Sequence, residues 1–174
     1  MRAGVARTDG FTLLELMVVL VLIGIIFSFA ALSMKGDDLA QLMDREAGQL
    51  ETLLGLASDE AILRGEELAL YVDTAGYEFM TLAADGWQVP DDGLLRRYDM
   101  PADISLSLDV SGDLPTPSAP AGEDGEGRSP QVFILSSGEM TPFTVTFSSQ
   151  GSRREYRVST TLLGTVSRER EERL

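Results

Sequence analysis

Histidine and cysteine are both absent from this chain of 174 residues. Without cysteine the protein has no disulfide, no thiol nucleophile and no Cys/His zinc site. Without histidine it has no Ser–His–Asp triad and no histidine general base. Lysine and arginine total 14 against 28 acidic residues, so the formal net charge is −14. This charge argues against a dedicated nucleic-acid binder, which must offset phosphate charge, and against an anionic membrane surface as the main partner.

The apolar residues are concentrated near the N-terminus, where residues 11–34 contain one charged side chain, Glu15. As a helix, the apolar run of residues 11–32 would be about 33 Å long, which matches a bilayer core of about 30 Å. Two arginines precede this run, so the positive-inside rule places residues 1–10 in the cytoplasm and the bulk of the chain outside. The sequence therefore predicts a single transmembrane helix over 11–34.

Glu15 is unexpected in such a segment, because a carboxylate at membrane depth costs a few kcal/mol. No lysine, arginine or histidine lies within residues 11–34. A partner must come from another chain, or from a new α-amine made by proteolysis. A cut after Gly10 would create that amine on Phe11, four residues before Glu15 and on the same helical face. The alternative is an ordinary cleaved signal peptide, for which Ser28-Phe29-Ala30 is a passable small-x-small site.

The segment Gly10-Phe11-Thr12-Leu13-Leu14-Glu15, followed by the apolar run, resembles the leader junction of type IV pilins and type II secretion pseudopilins. The resemblance implies that a prepilin peptidase cuts between Gly10 and Phe11 and methylates the new amine of Phe11. It also implies that Glu15 pairs with the amine of a neighbouring subunit during assembly. Asp9 departs from the family pattern, which often has lysine or arginine before the glycine.

Residues 35–65 follow a helical pattern in which apolar residues recur every three or four positions, so an amphipathic helix should dock there on a globular body. Asp37 or Asp38 is the expected N-cap and Gly65 the expected stop. Gly36 can break or bend the join to the membrane helix, so the sequence leaves its continuity open. The expected stripe contains Leu39, Leu42, Met43, Ala47, Leu50, Leu54, Ala57 and Ala61.

Residues 66–174 change to a period of two and predict a β-rich head of six or seven strands. We expect antiparallel pairing, because no helix-length crossover separates the strands. The charged tail, Ser167–Arg173, is expected to fray. The predicted runs are Leu68–Val72, Tyr77–Leu82, Trp87–Val89, Ile104–Val110, Val132–Leu135, Phe143–Phe147 and Glu155–Thr160.

Residues 111–130 predict a mobile loop, because eight of these twenty residues are glycine or proline. Its acidic run, Glu123-Asp124-Gly125-Glu126, does not have the alternating ligands of an EF-hand. The chain also has no glycine-rich phosphate-binding motif. The sequence therefore predicts no metal site and no cofactor.

The segment Ser136-Ser137-Gly138-Glu139-Met140-Thr141-Pro142-Phe143 resembles the strand–SSGE-x-TPF–strand signature of the minor pseudopilin family called general secretion pathway protein H. Physically it is a turn, since Gly138 can adopt a turn conformation and Pro142 can open a strand. The resemblance implies a pilin-like α+β lollipop. In this fold a long N-terminal helix, its first half transmembrane, packs on a head of one antiparallel sheet or two.

The same resemblance implies a structural subunit rather than an enzyme. Its location would be the bacterial inner membrane, with a cytoplasmic N-terminus and a periplasmic head. Its partners would be prepilin peptidase, the major pseudopilin and the other minor pseudopilins, and its role would be to link the tip pseudopilins to the major pseudopilin.

Three alternatives remain open at this point. They are a minor pilin of a type IV pilus, a related minor pilin that captures DNA, and a membrane-anchored hydrolase. The hydrolase would use Glu66 and Glu67, which are poorly disposed because adjacent strand residues point to opposite faces. No nucleic-acid partner is expected, since glutamates interleave with the arginines that would bind it, namely Arg153, Arg154, Arg157, Arg168, Arg170 and Arg173.

Overall fold

The computed structural model describes residues 12–84, 86–90, 93–112 and 129–173, without the side chains of residues 30–37. It begins with one continuous helix, α1 (Leu13–Arg64). Its 52 residues correspond to a rod of about 78 Å. Thr12 caps its start, because the threonine hydroxyl accepts a hydrogen bond from the N–H of Glu15 at 3.2 Å. The predicted N-cap at Asp37 or Asp38 is wrong, since the helix continues through Gly36. One glycine costs a helix only about 1 kcal/mol, and long helix-forming segments flank it on both sides.

Gly65 ends α1, as the sequence predicts. Its φ of 64° and ψ of 32° lie in the left-handed region, and its N–H donates to the carbonyl of Ala61. Glycine adopts this conformation without the penalty that a Cβ would bring. The chain therefore leaves the helix sharply and enters the first strand three residues later.

In the part of the chain that the structure describes, nine strands follow α1, more than the six or seven expected. The additional ones are short or highly charged, so they lack the apolar alternation that marks a strand in sequence. The strands are β1 (Leu68–Asp73), β2 (Gly76–Ala83), β3 (Gly86–Gln88), β4 (Arg97–Asp99), β5 (Ser105–Val110), β6 (Val132–Ile134), β7 (Phe143–Ser148), β8 (Arg154–Thr160) and β9 (Val166–Glu172).

The strands form two sheets. The first has the order β3-β2-β1-β6, with β4 also paired to β2, and the second has the order β5-β7-β8-β9. All of these pairings are antiparallel. The predicted α+β fold, a long helix on a head of one antiparallel sheet or two, is confirmed, and the head has two sheets.

The C-terminal half of α1 packs its small and apolar side chains into a core that it shares with both sheets. The predicted helix stripe is confirmed, with Leu42 partly buried at its edge. Large aromatic side chains from the sheets complete the core, among them Phe79, Phe143 and Phe147. Since this packing begins at Leu39, the helix before it projects from the head. The fully buried stripe residues are Met43, Ala47, Leu50, Leu54, Ala57 and Ala61.

The charged tail is not frayed, contrary to the sequence prediction. It forms β9, which pairs with β8 from Arg154↔Glu172 to Thr160↔Val166. Arg168 also fastens this strand to α1. Its guanidinium donates to the carbonyl oxygen and to the carboxylate of Asp44, at 2.9 and 2.7 Å, and its Nε lies 3.1 Å from the Glu51 carboxylate. These acceptors lie far from Arg168 in sequence, so no local pattern reveals them.

We expect Arg168→Ala to lower the free energy of unfolding by about 1 kcal/mol, because a partly exposed charge-assisted contact between strand and helix is lost. The matched control is Arg157→Ala. Arg157 on β8 pairs with Glu171 on β9 at 2.7 Å, so this ion pair joins two strands and not a strand to α1. We expect the control to change stability by less than about 0.5 kcal/mol. Urea unfolding in detergent, followed by the fluorescence of the single tryptophan, Trp87, gives both values. Equal losses would contradict a fastening role for Arg168.

Candidate assembly site

The helix that projects from the head is apolar on every side. From Leu13 to Phe29, all fourteen large apolar side chains are exposed, from 39% at Val19 to 78% at Leu13. Consecutive helical residues are rotated by about 100°, so these side chains leave no polar face. An apolar surface of this extent is unstable in water and must be covered by lipid or by other apolar helices.

Among the residues that the structure describes, no helix meets the length and hydropathy needed to cross a membrane. The predicted membrane segment, residues 11–34, includes positions outside that description and stays a prediction. The leader, residues 1–10, lies outside it as well, as does Phe11. The predicted cleavage and methylation positions therefore have no structural account, and the same holds for residues 113–128 of the predicted loop.

Glu15 lies in the first turn of α1, with its side chain exposed at the start of the apolar surface. Its N–H donates a hydrogen bond to the hydroxyl of Thr12, and this N-cap fixes where the helix begins. A carboxylate in the first turn also complements the positive end of the helix dipole. Thr12 was not predicted as the N-cap, although a threonine three residues before a glutamate is the signature of a capping box. The pairing of Glu15 with a neighbouring amine stays a prediction.

The signature segment forms a tight turn after β6, as predicted. The N–H of Gly138 donates to the carbonyl of Leu135 at 2.9 Å, and Gly138 has a φ of 87° that favours glycine. Glu67 holds the turn from outside, because its carboxylate accepts hydrogen bonds from the N–H and the hydroxyl of Ser136 at 3.1 and 2.9 Å. The turn thereby becomes a fixed part of the head surface.

Two buried threonines connect the signature to the sheets. The hydroxyl of Thr141 accepts from the N–H of Phe133 at 2.9 Å. The hydroxyl of Thr160 accepts from the N–H of Phe143 at 3.3 Å and donates to the carbonyl of Thr141 at 3.1 Å. These bonds satisfy buried backbone groups where the two sheets meet, so the two threonines stabilise the fold.

The carboxylates considered for hydrolysis do not form a catalytic pair. Glu67 is engaged with the signature turn, while Glu66 is exposed just after α1. Burial raises the pKa of Glu46, and burial together with the nearby Glu46 charge raises the pKa of Tyr77. Tyr77 is fully buried in the core, so no substrate can reach it. Within the described residues no three acidic side chains lie close enough together to hold a metal ion.

The arginines considered for DNA capture lie on β8 and β9 and beside them, and several are paired with acids of the same chain. Arg157 contacts Glu171 at 2.7 Å, and Arg173 contacts Glu155 at 3.1 Å. Arg168 is engaged with α1. Paired charges leave little positive potential for phosphates, so this arrangement disfavours DNA capture.

The family model described as Type II transport protein GspH matches residues 46–164 of this chain. The match runs from the buried stripe of α1 through strands β1 to β8 and the signature turn, and it covers more than half of the sequence. The chain belongs to the Type II transport protein GspH family. A second model, described as the prokaryotic N-terminal methylation motif, matches residues 6–31.

Curated relatives agree with this assignment to the GspH family. The chain is 31% identical to the Type II secretion system protein H of Aeromonas hydrophila over 157 residues, which are 86% of each protein. It is 33% identical to the protein of the same name from Pseudomonas aeruginosa over 151 residues, 82% of this chain and 84% of that one.

Solved structures of GspH proteins have the same fold. The minor pseudopilin EpsH from the type 2 secretion system of Vibrio cholerae aligns with a TM-score of 0.60 and 27% identity, over 73% of this chain and 95% of that one. The solution structure of Escherichia coli GspH aligns with a TM-score of 0.55 and 21% identity, over 76% of this chain and 92% of that one, which shows the fold alone.

Membership in the GspH family confirms the resemblance carried by the signature turn. It also favours type II secretion over the type IV pilus that the sequence left open, because the matched family and the matched relatives belong to secretion systems. The family is one of structural pseudopilins.

Proposed function

We propose that this chain is a minor pseudopilin that links the tip pseudopilins to the major pseudopilin in a periplasmic pseudopilus. One observation carries the proposal. From Leu13 to Phe29 the helix before the head exposes fourteen large apolar side chains on all sides, while the head has a core of its own. A folded head with an exposed apolar helix suits a subunit whose helix is covered by the helices of neighbouring subunits.

Before assembly the same apolar surface would lie in the inner membrane, with the N-terminus in the cytoplasm and the head in the periplasm. The methylation-motif match over residues 6–31 supports cleavage by prepilin peptidase between Gly10 and Phe11. The mature amine on Phe11 would then pair with Glu15 of an adjacent subunit. Such a pair adds little net stability but can fix the axial register of one helix on the next.

The function is tested by removing the gene from a cell with a working secretion system. We expect export to stop while the major pseudopilin is still made, and the full-length chain to restore export when supplied again. Normal export without the chain would contradict the proposal.

We expect the mature protein to begin at Phe11 and to carry a methyl group on its amine. The cut removes the charged leader, and it leaves an α-amine that can approach a carboxylate one helical turn away. Mass spectrometry of the N-terminal peptide measures both the start and the added methyl mass. A start near Ala31 would indicate an ordinary signal peptide and contradict the assembly model.

A further inference from the structure

The exposed apolar side chains of the head are unevenly placed. Outside the projecting helix, seven large apolar side chains are exposed in the described residues, and four of them belong to segments that meet at the C-terminal end of α1. We call these four the distal corner. They are Ile62 at 51% exposure, Leu63 at 85%, Leu162 at 44% and Leu163 at 81%.

Three segments converge to form the distal corner. A Cβ placed on Gly138 would lie 3.4 Å from the Ile62 side chain, which puts the signature turn beside the end of α1. The N–H of Met140 donates to the carbonyl of Leu162 at 3.0 Å, which joins the β8–β9 turn to the same place. The end of α1, the signature turn and the β8–β9 turn therefore meet at one end of the head, although they are distant in sequence.

The two leucines of the β8–β9 turn are displayed rather than packed. The turn is rigid, since the N–H of Thr161 donates to the carbonyl of Thr165 and that of Gly164 donates to the carbonyl of Thr161, both at 3.0 Å. Tight turns usually carry small or polar residues. Leucines held at the tip of a rigid turn have no role in the head's own core, which points to a contact with another molecule.

The length of the helix excludes lipid as the cover of the distal corner and indicates another head. Thirty-odd residues of α1 separate Phe29 from Ile62, which places the corner about 50 Å beyond the exposed apolar segment. Neighbouring apolar segments of 17 residues, about 25 Å long, cover each other only if their axial offset is smaller than that length. The head extends over about 39 Å of α1, from Leu39 to Arg64. At any such offset, the corner of one subunit is level with the head of a neighbour that stands further from the membrane.

We propose that the distal corner docks on an apolar patch of the head of the pseudopilin that stands one step further from the membrane. The proposal rests on the function proposed above and adds which surface makes the upward contact.

The absence of native cysteine makes the test direct. Leu63→Cys and Leu163→Cys variants of the full-length chain are produced in cells with their secretion system, labelled with benzophenone maleimide and irradiated. Adducts are then identified by mass spectrometry. Ser107→Cys, on an exposed position of β5, is the control for the head, and Phe27→Cys reports on packing of the apolar helix.

We expect Leu63→Cys and Leu163→Cys to form an adduct with the head of a different pseudopilin, and Ser107→Cys to form at least about tenfold less of it. Adding Leu163→Glu to Leu63→Cys should lower the adduct yield about tenfold, as the loss of one buried leucine predicts. Because Leu163 is 81% exposed, the melting temperature should not change, and Ser107→Glu should leave the yield unchanged.

The proposal is overturned if Phe27→Cys crosslinks to other pseudopilins while both distal positions do not. It is also overturned if the distal positions crosslink to a second copy of this chain or to an exported protein. Failure of Phe27→Cys to crosslink to any pseudopilin would overturn the proposed function, and this inference with it.

Discussion

A Glu15→Ala variant is expected to insert in the membrane with a folded head and to lose incorporation into the pseudopilus. Glu15 is the only charge between residues 11 and 34, and a lone carboxylate at membrane depth costs a few kcal/mol. The substitution removes this cost, so insertion should be retained or improved. In the proposed assembly, where Glu15 pairs with the amine of a neighbouring Phe11, the same substitution would leave that amine without its partner. Removing one member of a shielded pair typically costs several kcal/mol, enough to reduce assembly more than tenfold.

The effect of Glu15→Ala is measured by crosslinking to neighbouring pseudopilins and by secretion in the same cells. Ser28→Ala is the matched control, because it removes a polar side chain from the same helix. The Ser28 hydroxyl donates to the carbonyl of Gly24 at 2.9 Å, so its hydrogen bond lies within its own helix. Wild-type crosslinking and secretion in the Glu15→Ala variant would show that the carboxylate has no part in assembly.

Gly76→Ala is expected to destabilise the head by about 2–4 kcal/mol, because a side chain has no space at this position. Gly76 pairs with Asp73 on one side and with Asp99 on the other. A Cβ on Gly76 would collide with the carbonyl oxygen of Tyr98 and lie 3.2 Å from the Cα of Asp99. Relief requires β4 to move away, which would disturb the stacking of Tyr98 on Tyr77, now 5.3 Å between ring centroids.

Gly55→Ala is the matched control for Gly76→Ala, and its expected effect has the opposite sign. A Cβ at this position in α1 would meet no atom within 4 Å outside its own helix turn. Alanine in a helix interior is favoured over glycine by about 0.5–1 kcal/mol, so the variant should be more stable. Urea unfolding in detergent, followed by Trp87 fluorescence, compares the two. If both variants lose similar stability, close approach at Gly76 is not the cause.

Features that depend on neighbouring residues were predictable from the sequence. The stripe from Leu39 to Ala61 repeats with the helical period, and Gly65 stops the helix through its own left-handed conformation. The hairpin between β1 and β2 follows from Asp73, whose carboxylate accepts the N–H of Ala75 at 2.8 Å. The leader motif and the signature turn identified the family for the same reason, since each is a contiguous run of residues.

The sequence left open whether α1 continues through Gly36. Gly36 and the two aspartates after it are weak helix formers, so local propensity favours a break. Tertiary packing favours a continuous helix, because the buried stripe begins at Leu39 and stabilises helical structure in the residues just before it. Propensity differences of about 1 kcal/mol are routinely overridden by burial of this kind.

The apolar helix, its single carboxylate, the family signature and the change from helical to strand periodicity could be predicted, because each depends on residues close together in the chain. The docking of β9, the engagement of Glu67 with Ser136 and the distal corner could not, because each depends on contacts between distant segments. Arg168 meets Asp44 across 124 positions and Glu67 meets Ser136 across 69. Such contacts form only when two sheets close on one helix. From sequence alone the charged tail is therefore predicted to fray, and the two exposed leucines of the β8–β9 turn are not recognised. Both are explained only by the segments that lie beside them in the folded head.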